Sequence, residues 1–178
     1  MYYADSIAKQ LYKKNKALKK KLIETFGTGL LDNRKMISPL KLRRLVFVSK
    51  PNQRRVGRIV HPFVISEINK RIKQNSNDYI VIEAALIFES RFDKYLDYTL
   101  LIHSNIKTRI RRIVKRDNKP VSEVRKIIKL QMPEKEKITR ADFVITNNGT
   151  LNELKKNVRL VFEVIKKTKL RPSGNVLR

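Results

Sequence analysis

Three short runs of apolar, largely β-branched residues, separated by stretches of helical periodicity, confine this chain to the α/β class. The segment 79–88, YIVIEAALIF, opens as a β-branched run bounded by polar residues and reads as a buried strand passing into a loop. Residues 97–102 (DYTLLI) predict a second strand and 142–146 (DFVIT) a third, with about forty residues of basic helix between them. From Asp5 to about Phe26, Ile7, Leu11, Leu18, Leu22 and Phe26 follow helical spacing among lysines, which predicts one helix ended by Gly27 and Gly29. A helix-rich stretch follows from about Lys35 to Gln74, broken by Pro39, Pro51 and Pro62. After the third strand, Thr150 and Glu153 have capping-box spacing. They open a helix with Leu151, Leu154, Val158, Phe162 and Ile165 on one face. Strands alternating with helices call for a parallel sheet covered on both sides, whose ligands sit beyond the carboxyl ends of the strands. Attention therefore falls on Ala4–Asp5, Glu83–Glu89, His103–Ser104 and Asn147–Gly149.

Charge narrows the partners. Lys and Arg number 42 against 16 Asp and Glu, a net charge of +26 that invites a nucleic-acid reading. The basic residues are spread over the whole length, and a surplus of Lys and Ile over Arg and Ala is what an A/T-rich genome imposes. Nucleic acid is therefore not the expected main partner; a phosphorylated small ligand would use part of the charge. There is no cysteine, which excludes a disulfide scaffold and thiolate-bound zinc. Two histidines argue against a multi-histidine metal site, and no residue is assigned to a metal. The longest apolar run is strand-length and the start, MYYADSIAKQ, has no apolar h-region, so neither a transmembrane helix nor a signal peptide is expected. The expectation is a cytoplasmic protein with no membrane partner, a single domain over 1–170 and a flexible tail at 171–178.

Several side chains carry chemistry. Asp5, at a strand-to-helix junction, can accept a proton from a hydroxyl or cap the helix. Arg109, Arg112 and Arg116 share one helix face, either as a phosphate clamp or as a solvated basic face. His61 precedes Pro62 at a predicted helix start, where it contacts substrate or simply packs. Glu83 and Glu89 flank the end of the central strand run; either reaches Mg²⁺ through water or pairs with a lysine. Asn147 and Gly149 suit a turn in any case.

The succession YADSIA, FG, NR, LVF, His61-Pro62, EAALIFES, RIRRIVKRD, a Gln before MPEKEK, and RADFVITNNG closely resembles the dephospho-coenzyme A kinase family, from residue 2 to about residue 168. The resemblance implies a P-loop NTPase-like three-layer α/β/α fold with a helical substrate-binding region at about 27–75 and a basic lid at about 105–138. It implies transfer of the γ-phosphoryl group of ATP, with Mg²⁺, to the 3′-hydroxyl of dephospho-coenzyme A by a monomer. Asp5 then matches the family's catalytic base, and Arg112 and Arg116 its lid arginines, catalytic through the charge they offset on the transferring phosphate. Arg34, His61 and Glu89 fall on the substrate side, Arg109, Asn147 and Gly149 on the ATP side, and Gln131 beyond the lid. The family opens with a strand, a G-x-x-x-x-G-K-[ST] loop and a helix before the segment equivalent to YYAD. No such loop occurs in the 178 residues. A shortened gene model is expected, with about twenty upstream residues supplying that loop. Without the first strand and P-loop, the chain as written is expected to be a poor kinase and a poor folder. A dephospho-coenzyme A-binding relative without activity and a basic RNA- or ribosome-associated protein are the alternatives.

Overall fold

Tyr2 and Tyr3 form a two-residue strand, β1 (Tyr2–Tyr3), paired in parallel with β2 (Ile82–Glu83), with Tyr2 opposite Ile82 and Tyr3 opposite Glu83. Parallel partners need a crossover, and this one is helical: α1 (Ala4–Lys14), α2 (Lys16–Phe26), α3 (Pro39–Val46) and α4 (Lys50–Lys73). The computed structural model describes residues 1–168, which group into one unit through Ser90 and another from Arg91. The tail expected at 171–178 lies outside the described residues.

In the first unit α4 packs against α1, α2 and α3. Its stripe Val56, Gly57, Val60, Val64 and Ile68 is buried, as are Ile7, Leu18, Leu22 and Leu42 on the other helices. Burial of such side chains at about 1.5–3 kcal/mol each is what holds the helices to one another. The Tyr2 hydroxyl donates to the Arg71 carbonyl (3.1 Å) and accepts from Asn75 (3.2 Å), while Arg71 donates to Glu67 and Gln10. These bonds fasten the end of α4 to the junction that carries Asp5.

Several sequence expectations change here. The single helix over 5–26 is two, because Asn15 leaves helical geometry (φ −92°, ψ 104°) and its side chain accepts from Leu18 N at 2.8 Å. Asparagine competes with the helix for its own backbone, which the apolar spacing on either side concealed. Gly27 does take positive φ (79°). Pro39 and Pro51 stand at helix starts, where no N–H is needed. Pro62 lies inside α4, so His61 is a mid-helix residue and not one at a helix start. The buried stripe on both sides of Pro62 outweighs the one hydrogen bond its ring denies the helix. Of the run 79–88 only Ile82–Glu83 pairs, and Tyr79 and Val81 stay 40% and 53% exposed.

The second unit follows the same plan. β3 (Leu100–His103) and β4 (Phe143–Thr146) pair in parallel over four residues, Leu100 opposite Phe143 through His103 opposite Thr146. Their crossover is α5 (Ile106–Asp117), α6 (Val121–Leu130) and α7 (Glu134–Arg140). The register is pinned at its start: the Asp142 carboxylate accepts from Thr99 N (2.9 Å) and from the Thr99 hydroxyl (2.8 Å), which itself accepts from Asp142 N. The expected second and third strands thus begin later than the sequence suggested, because Asp97, Tyr98 and Asp142 sit before the ladder. The four strands form two separate parallel pairs among the described residues, each joined by a helical crossover as the expected α/β class requires. α8 (Leu151–Lys167) begins with the expected capping box and packs on β4. Its predicted apolar face is not a buried one: Leu151, Val158 and Phe162 stay 63%, 38% and 36% exposed.

Candidate active site

β1 hands over to α1 at Tyr3, the N-cap, so Asp5 is the second helical residue and not a cap. A carboxylate in the first turn is stabilised by the positive end of the helix. The Asp5 side chain is exposed and makes no hydrogen bond or ion pair among the described residues. Its charge reaches Tyr12, whose phenol is pushed up to about 12 by burial first and by Asp5 second. Glu83 ends β2, directly opposite Tyr3. Arg34 sits on a turn closed by Asp32, whose carboxylate accepts from the Arg34 and Met36 backbone N–H groups at 2.9 Å each. The Arg34 guanidinium has no hydrogen-bond or ion-pair partner among the described residues.

His61 lies within electrostatic reach of Glu89. Burial lowers His61 below its ordinary 6.5, and the Glu89 charge opposes that shift. Gly57, one turn earlier on α4, leaves room for the imidazole: a Cβ there would stand 2.8 Å from Cε1 of His61. A base depressed by folding is protonated first in the unfolded chain. Stability from a neutral His61 is therefore complete above about pH 6.5 and is lost as the pH falls below it. Thermal unfolding should show the midpoint dropping between about pH 7.5 and 5.5, with a shallower drop in His61→Gln; equal slopes would remove His61 as a cause.

In the second unit the arginine row does share one face of α5, and each member is engaged. Arg112 donates to the carbonyls of Asn147 (2.7 Å) and Gly149 (3.2 Å), and Asn148 Oδ1 accepts from Asn105 N at 2.9 Å. α5 thus fixes the turn after β4, joining three of the sequence-predicted residues. A Cβ at Gly149 would meet the Glu153 carboxylate, so a larger residue there would push that side chain out of the capping box. Arg116 is exposed and donates twice to the adjacent Asp117, at 2.7 and 3.0 Å. Gln131 is the C-terminal cap of α6.

Arg109 bonds Glu134, the first residue of α7, and the other Glu134 oxygen meets Nδ1 of His103 at 2.8 Å. Burial alone would raise the Glu134 carboxyl, but hydrogen bonds and charge from His103 and Arg109 hold it below its ordinary 4.5. The sequence marked His103 only as a strand end and overlooked Glu134, which stands among lysines in PEKEK. A proline before an acidic first helical turn was the available signal. Among the described residues no group of three His, Asp or Glu is placed to hold a metal ion.

Parallel strands joined by helical crossovers in each unit are the architecture of the P-loop NTPase-like α/β class. The profile described as dephospho-CoA kinase matches residues 2–153. The chain is 38% identical over 168 residues to the dephospho-CoA kinase of Fusobacterium nucleatum, covering 93% of this chain and 85% of that one. It is 32% identical over 164 residues to that of Bacillus cereus, covering 90% and 82%. Among solved structures, a Thermus thermophilus protein superposes with a TM-score of 0.75 at 26% identity, covering 92% of this chain and 83% of that one. The dephospho-CoA kinase from Campylobacter jejuni gives 0.59 at 25%, covering 93% and 85%. The chain belongs to the dephospho-CoA kinase family.

Proposed function

We propose that this chain transfers the γ-phosphoryl group of ATP to the 3′-hydroxyl of dephospho-coenzyme A. The observation that carries the reading is the uncommitted, exposed carboxylate of Asp5 at the end of β1. A carboxylate so placed orients a ribose hydroxyl and accepts its proton as the phosphoryl group moves. His61, Glu89 and Arg34 serve the dephospho-coenzyme A side, where Arg34 offers a guanidinium with no internal partner among the described residues. On the ATP side, Arg112 fixes the Asn147–Gly149 turn, with Arg109 and Arg116 on the same helix face as neighbouring cations. Mg²⁺ bound with the ATP phosphates would offset the charge of the transferring phosphoryl group. The reading includes a cytoplasmic, monomeric enzyme organised as one kinase domain over 1–170.

A second reading, a protein that holds dephospho-coenzyme A without phosphorylating it, is favoured by one observation: the 178 residues contain no Gly-x-x-x-x-Gly-Lys-Ser/Thr run. Purified chain incubated with dephospho-coenzyme A and Mg·ATP separates the two. Coenzyme A formation supports transfer, and saturable binding with no product supports the second reading. Arg112→Ala should raise KM for ATP about tenfold, with little change for dephospho-coenzyme A, because the loss falls on the ATP-side turn. Arg112→Lys should recover little, since an ammonium cannot bridge two carbonyls as a planar fork does. An equal rise in both KM values would contradict this division.

A further inference from the structure

α5 carries two cationic rows, and they differ in one respect. Arg109, Arg112 and Arg116 each have a partner within the second unit. Lys107, Arg111 and Lys115 are exposed and form no ion pair among the described residues, and neither does Arg125 across from them on α6. These four rim a groove of about 600 Å³ between α5 and α6. Its floor is aliphatic: Ile106, Ile110 and Val114 from α5, and Val121 from α6. Ile106 and Val121 remain 45% and 46% exposed. The two helices are joined through Asn118 in left-handed geometry (φ 49°), so the groove belongs to one helical hairpin.

We infer that this groove docks an acidic amphipathic helix of a partner protein. The match is one of charge and period together. Lys107, Arg111 and Lys115 recur every four residues, a step of about 6 Å along the helix, which is also the spacing of carboxylates at i and i+4 on a partner helix. The aliphatic row beside them has the same step and suits the leucine seam of such a helix. A phosphodiester strand matches the rim but not the floor, because no aromatic ring lines it for bases to stack on. No acidic side chain lines the groove to repel the partner's carboxylates. The inference concerns a surface outside the proposed transfer chemistry and stands whether or not that reading holds.

The probe is a fluorescein-labelled synthetic helix of about fourteen residues, with leucines at helical spacing flanked by glutamates, titrated with the full chain at about 150 mM salt. Saturable binding should appear in the micromolar range, at least about tenfold tighter than for a scrambled peptide of the same composition. Arg111→Glu with Lys115→Glu should weaken it at least about tenfold, and Ile106→Ser by several-fold, with circular dichroism unchanged because these side chains are exposed. Equal binding of the scrambled peptide would overturn the inference, since charge alone would then explain it. So would tighter binding of an RNA oligonucleotide of equal charge, wild-type affinity in either variant, or no saturation below about 1 mM.

Discussion

Replacing Asp5 with asparagine should lower kcat for dephospho-coenzyme A phosphorylation by about two to four orders of magnitude, the usual scale for losing a positioned general base. Asparagine keeps the shape of the side chain and its capacity to accept a hydrogen bond, but not its capacity to take a proton. Little else depends on the carboxylate. Asp5 is exposed, does not cap α1, and has no internal partner among the described residues, so folding loses only its favourable place in the first helical turn, about 0.5 kcal/mol. Binding of dephospho-coenzyme A should persist within a few-fold. The decisive comparison is turnover beside thermal unfolding: a large loss in kcat with an unmoved midpoint is expected. Full activity in the asparagine variant would end the general-base assignment, and a collapsed midpoint would make Asp5 structural.

A second large effect is expected at Glu134, this time on stability. Its two oxygens meet Arg109 and His103, so one side chain ties α5, α7 and the end of β3. Glu134→Ala leaves the Arg109 charge about three-quarters enclosed, with its Nε already lacking a hydrogen-bond partner. A fully buried pair broken in this way costs about 3–5 kcal/mol; with the side chains 23–26% exposed, about 2 kcal/mol is the appropriate scale. That corresponds to a fall of about 4–8 °C in Tm for a chain of this size. Glu134→Gln, which keeps an acceptor, should lose less. The folded Glu134 carboxyl lies below 4.5, so its contribution is present above that pH and is lost on acidification through the folded midpoint. The gap between wild type and the alanine variant should narrow at low pH. A gap that is absent at neutral pH would show that the three side chains contribute nothing to the fold.

The class of fold was legible because alternation of β-branched runs with helical spacing survives in any order of packing. Crossover helices, the capping box at Thr150 and the strand-end positions all followed from local rules. What local rules missed were contests between neighbours in space. Asn15 looked like one polar residue in a lysine-rich helix, and only its own side chain decides that the helix restarts there. Pro62 looked like a helix breaker until the stripe from Val56 to Ile68 was seen packed against three other helices. Among the candidate residues, the place of Asp5 after β1 was readable from its junction and the common face of the arginines from their period. The partners were not: that Arg112 clasps the Asn147–Gly149 turn and that Glu134 joins Arg109 to His103 depends on residues 25 to 37 positions apart meeting across a crossover.

The chain has two histidines, and they fall one to each unit, His61 on α4 and His103 at the end of β3. Their imidazole C–H resonances lie clear of most other protons in a protein free of tryptophan, so a heating series becomes a two-channel recording without any label. Coincident midpoints at the two rings would describe a single cooperative melt, and separated midpoints would describe two units that open one after the other.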